Sequence, residues 1–103
     1  MTKTRTVFEE MKYLKGRISR AKKACADIES KLPDAEKLAE QVAAFEHSEN
    51  KDERKAYIYA SYDLAALRSD LAKKRTEIFF DESRLEELSK LKAEVESSIL
   101  QQE

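Results

Sequence analysis

From residue 56 to residue 100 the chain sustains an apolar repeat of seven, and it holds no glycine or proline from 51 to 103. Counting by sevens from Tyr57 gives Leu64, Leu71, Ile78, Leu85, Lys92 and Ile99. Counting from Ala60 gives Leu67, Lys74, Asp81, Leu88, Val95 and Gln102. These two rows have the spacing of a coiled-coil seam. Good helix formers fill most of the remaining positions. The repeat therefore predicts one helix over 51–101, about 75 Å long at 1.5 Å per residue.

A third row lies beside the seam: Ile58, Ala65, Ala72, Phe79, Glu86, Ala93 and Leu100. Two adjacent rows suffice for one partner helix, so a third widens the stripe beyond what one helix covers. Ile58, Ala65, Ala72, Phe79, Ala93 and Leu100 are the expected self-association residues. Lys74 and Asp81 interrupt the seam. Their stems are expected to lie along it with the charges reaching its edge; the alternative is that they fix register at a cost in stability.

The N-terminal half carries a matching seam. Val7, Met11, Leu14, Ile18, Ala21, Cys25, Ile28 and Leu32 step alternately by four and three, and Ala35, Ala39 and Val42 continue the pattern. Thr6-Val7-Phe8-Glu9 reads as a capping box that starts the helix at Val7. The expected first helix is 7–46. Pro33 either kinks it or divides it in two; preserved register across Pro33 favours the kink. A turn at 47–50 follows, with Asn50 as cap and Glu53 three residues on.

Charge supports folding back at this turn. Residues 1–25 carry eight Lys/Arg against two Asp/Glu, and residues 26–54 carry four against nine. Residues 55–75 carry five against two, and 76–103 carry three against eight. An antiparallel pairing faces each basic block with an acidic one. The expected fold is all-α: one domain over 1–103, a long antiparallel coiled-coil hairpin. Two helices enclose little core, so two hairpins are expected to join through the third row into an elongated antiparallel homodimer, a four-helix assembly, or a higher homo-oligomer.

Few chemistries are open to this chain. His47 is the only histidine and Cys25 the only cysteine, which leaves no zinc-ligand spacing and no internal disulfide. One glycine cannot form a phosphate-cradling loop. Cys25 falls on the seam and reads as a small buried hydrophobe. No catalytic residue, cofactor or metal site is expected. Nothing approaches the roughly 18 apolar residues of a membrane span or the apolar run of a signal peptide, which implies a cytoplasmic, non-membrane setting.

Two groups of residues suggest partners. Tyr13, Tyr59, Tyr62 and Phe80 lie off the seam and would serve as aromatic anchors for a protein. Lys12, Lys15, Arg17, Arg20, Lys22 and Lys23 would suit an anionic partner such as nucleic acid, although pairing with the acidic C-terminal block is the simpler expectation. The sequence thus favours a non-enzymatic interaction protein (an adaptor, chaperone-like or inhibitor subunit) over a nucleic-acid-associated one, with an enzyme last.

Overall fold

The computed structural model describes residues 6–101 in backbone and residues 6–97 in side chain. It is a hairpin of two long helices, α1 (Val7–Val42) and α2 (Lys51–Gln101), with no strand among the described residues. The body is 81 Å long but only 31 Å and 17 Å across.

α1 starts where the Thr6 hydroxyl accepts from the Glu9 amide at 3.1 Å, with Thr6 in extended backbone. Glu9 and Glu10 then sit in the first turn, where negative charge suits the helix dipole. The helix runs through Pro33 without ending. Pro33 lacks an N–H, so the Glu29 carbonyl forgoes its donor. Pro33 faces solvent, while its neighbour Leu32 stays half-buried.

The α-helix ends at Val42, before the 46 that the apolar pattern predicts. It tightens into a 3-10 turn, Ala43–Phe45. Here the Ala43 amide bonds back to the Glu40 carbonyl. This shorter spacing satisfies terminal carbonyls that an α-helix leaves open.

The turn needs no left-handed residue; no described residue has positive φ. Asn50 Oδ1 accepts from the amides of Asp52 (2.9 Å) and Glu53 (3.3 Å). The Glu53 carboxylate does not bond Asn50 directly. It accepts from the Ser48 hydroxyl at 3.1 Å, and that hydroxyl accepts from the Asn50 amide at 3.1 Å. The capping box is thus closed through a hydroxyl relay.

Every residue of the α1 seam row is buried or half-buried, and so is each α2 seam residue from Tyr57 to Lys92; Val95 is exposed, and Ile99 and Gln102 lie outside the described side chains. The most buried apolar groups are Leu14, Ile18, Ala21, Cys25 and Val42 on α1 and Ala60, Leu71 and Leu88 on α2, yet no described side chain is fully enclosed. The core is a line one side chain deep. Ion pairs on both flanks run antiparallel: Arg17 to Asp81, Lys22 to Glu82, Glu29 to Arg75 and Glu36 to Arg68. At the open end Lys92 Nζ sits 4.4 Å above the Phe8 ring, so the last turns of α2 run past the start of α1.

Candidate interaction surfaces

The face of α2 turned away from α1 is the most unusual surface of the molecule. It consists of the positions one, two and five residues after Tyr57, Leu64, Leu71 and Ile78. From Ile58 to Ser83 these positions carry a single charge, Lys73. In a chain with 40% charged residues, an ordinary solvated face of this length would carry several. Small residues such as Ala65, Ser69 and Ala72 form its middle. Bulky ones form its ends: Ile58, Tyr59 and Tyr62 towards the turn, Phe79 and Phe80 towards the open end.

These side chains have no cover in the hairpin. Tyr59, Tyr62, Phe79 and Phe80 are each between 63% and 71% exposed, and Ile58 is 47% exposed. The Phe79 and Phe80 rings meet edge to face, with centroids 5.7 Å apart and planes at 70°. Tyr57, Ile58, Ser61, Tyr62 and Ala65 frame a shallow apolar depression near the turn.

Among the expected self-association residues, Ile58, Ala65, Ala72, Phe79 and Ala93 all point to solvent, whereas Leu100 lies outside the described side chains. Tyr59, Tyr62 and Phe80, expected as separate anchors, share this same face, while Tyr13 is on α1. The inert residues Ala66, Ser69, Thr76 and Ser83 complete the surface. Row-by-row counting divides the face among three heptad positions; counting charges across all three together would have found it.

The second feature is a charge cluster at the seam. Asp81 is buried, with 8% of its surface exposed, instead of reaching the edge. Arg17 Nε lies 2.8 Å from Asp81 Oδ2 and 3.1 Å from Glu77 Oε1. Its N–H is directed at Glu77, which receives the hydrogen bond. Asp81 Oδ2 accepts no hydrogen bond and is held by charge alone. The Arg17 pKa is raised, first by a hydrogen bond with Tyr13 and then by Asp81 and Glu77. Lys74 turns to Glu77 Oε2 at 3.6 Å, so its charge does reach the edge.

Pairing accounts for only part of the basic segment. Arg17 and Lys22 meet acidic residues of α2. Lys12, Lys15, Arg20 and Lys23 are exposed and make no ion pair among the described residues. The Arg20 side chain lies over Gly16, with Nη1 3.3 Å from where a Cβ would stand. Lys12 and Lys15 border a cleft with Phe8, Met11 and Lys92 at the open end.

Cys25 is a buried free thiol. His47 is exposed in the turn, with Nε2 3.9 Å from Glu46 Oε2. No cluster of three or more potential metal ligands occurs among the described residues. No described helix is long and apolar enough to cross a membrane.

No protein family, curated protein or solved structure matches this chain.

Proposed function

We propose that this chain is a non-enzymatic protein–protein interaction module: a coiled-coil hairpin that presents the outer face of α2 to a protein surface, in the manner of an adaptor, chaperone-like or inhibitor subunit. The observation that carries this reading is the nearly uncharged face from Ile58 to Ser83 with four exposed aromatic rings. Contiguous exposed apolar surface of this kind marks sites of association, and buried aromatic side chains dominate binding energy at interfaces. α1 has no role in binding on this reading; it holds α2 straight and leaves one face free. Self-association into an elongated four-helix assembly belongs to the same reading. The lone thiol, needing no disulfide partner, suits a cytoplasmic setting.

The test compares the intact chain with Phe79→Glu in capture from the native cell. A protein held stoichiometrically by the native chain and lost with Phe79→Glu, at unchanged helicity, supports the proposal. Equal capture by both chains removes the α2 face from it.

A second reading rests on four cations of the basic segment that make no ion pair among the described residues. Lys12, Lys15, Arg20 and Lys23 offer a basic surface to nucleic acid, on the side of the molecule away from the aromatic face. Binding to a generic duplex would then be measurable at low salt and fall steeply as salt rises. Absence of binding at low salt ends this reading.

A further inference from the structure

We infer that the outer face of α2 is covered by the same face of a second copy of this chain, with the two α2 helices parallel and in register. The inference rests on the interaction-module reading and adds the occupant and its orientation. Three observations support it.

The first is the pattern of charge along the two edges of the face. One edge carries Asp70, Glu77 and Arg84; the other carries Arg68, Arg75 and Glu82. Each residue of the first edge is two positions beyond its counterpart on the second, about 3 Å along the axis. The signs are opposite at all three levels, and they exchange together between residues 77 and 82. A two-fold axis parallel to the helices brings one edge of the first copy against the other edge of the second. Asp70 then meets Arg68, Glu77 meets Arg75 and Arg84 meets Glu82, twice over. An antiparallel pairing centred on the middle of the face sets each edge against itself and brings acid to acid around Asp70 and Glu77.

Within the hairpin five of these six residues already have a partner: Arg68 and Arg75 are held by Glu36 and Glu29, Glu77 by Arg17 and Lys74, Glu82 by Lys22, and Arg84 by Glu87. Asp70 makes no ion pair among the described residues. Interactions between exposed charges fade within a Debye length of roughly 8–10 Å. The local edge pattern therefore outweighs the coarser charge blocks, which α1 and α2 already balance between themselves.

The second observation is area. Four aromatic side chains, each offering roughly 150–250 Å² when fully buried, stand about two-thirds open. Together with Ile58 and the small residues they approach the ~800 Å² per partner of a standard stable interface. A smaller occupant would leave one aromatic end uncovered, whereas a second copy matches both ends along their full separation.

The third observation is shape. Ala65, Ser69 and Ala72 at the centre of the face let two helix axes come within about 8 Å, so the facing backbones can approach closely.

The test uses the full chain with Cys25→Ala, carrying either Ser69→Cys or Thr76→Cys. Both positions are exposed in the hairpin, and they lie on the midline of the face about 10 Å apart. In a parallel, in-register dimer each variant, alone, oxidises to a disulfide-linked pair, and the native mass is twice 11.9 kDa. In an antiparallel dimer at most one of the two positions meets its own copy, so failure of either variant to cross-link at dimeric mass overturns the orientation and leaves the face in use. A monomer at every concentration overturns the second copy itself; the interaction-module reading is then judged separately, by loss of capture with Phe79→Glu. Asp70→Lys supplies an independent sign. It weakens a parallel dimer several-fold by facing Arg68, and strengthens an antiparallel one.

Discussion

The guanidinium Nε of Arg17 stands 2.8 Å from Oδ2 of Asp81, sixty-four residues further along the chain and on the opposite helix. Asp81 is the one buried charged residue among those described. Burial of a carboxylate is unfavourable unless it is paired and hydrogen-bonded, and here the paired oxygen has charge but no hydrogen bond. Replacing a whole buried pair with apolar residues is often neutral or stabilising, whereas removing one partner is destabilising when the other is left as an uncompensated buried charge. Arg17 is the more exposed partner and keeps Glu77 when Asp81 is lost, while Asp81 would be left buried and alone without Arg17. Asp81→Leu is expected to leave the melting temperature unchanged or raise it, and Arg17→Met to lower it. Thermal melts followed by circular dichroism decide between these signs. The raised Arg17 pKa gives no pH switch: its contribution is complete below the unfolded-state value and is lost only as pH rises through the higher folded value, far above neutrality.

Ile18 is 7% exposed in the centre of the line of core side chains. Truncating a buried aliphatic residue costs about 2–5 kcal/mol, least where surroundings can collapse into the space. A core one side chain deep collapses readily, so Ile18→Ala is expected to cost about 2–3 kcal/mol. Half-buried Ile28→Ala should cost less. Urea unfolding of the two variants measures the difference.

The two helix starts are local devices and could be seen in the sequence. Thr6 caps Glu9, and Asn50 caps Asp52 and Glu53, because a short oxygen at the cap needs nothing beyond the next turn of chain. Asn50→Ala removes the acceptor of two amides and is expected to cost about 1 kcal/mol, read as a shift in the denaturation midpoint. Ser48→Ala should cost less but remove the relay to Glu53, and Glu53→Gln should then have no further effect in that background.

Pro33 keeps α1 helical while leaving Glu29 without its helical donor. An interior proline is less favourable than alanine by about 3 kcal/mol. Pro33→Ala is expected to stabilise the hairpin by roughly 1–3 kcal/mol, since the exposed ring contributes little packing that the change would lose. An unchanged or lowered denaturation midpoint would show that neighbouring residues have adapted to the ring.

The seams were legible because burial on a helix follows spacing: Val7 to Val42 lie inward at every step of four or three. Asp81 was not legible in the same way. Its spacing places it on the seam, but whether a carboxylate there turns out or stays in depends on Arg17, which sequence distance conceals. The 3-10 turn at Ala43–Phe45 was missed for a related reason. Alanines at 43 and 44 suit an α-helix by propensity, and only the geometry of turning towards Asn50 tightens them. The outer face of α2 lay open in the sequence, but as an absence of charge spread over three rows.

A line of core one side chain deep has a consequence for how the hairpin opens. Each level is supported mainly by the levels directly above and below it, so the structure behaves as a zipper rather than a single cooperative block. Contacts beside the turn close short loops, whereas those at Phe8 and Lys92 span nearly the whole chain and close last. Amide exchange should therefore run fastest at the open end and slow towards the middle of the seam. The same gradient places Phe79 and Phe80 nearer the fraying end than Tyr59 and Tyr62, so an encounter with another molecule would settle first on the tyrosine end and spread outward.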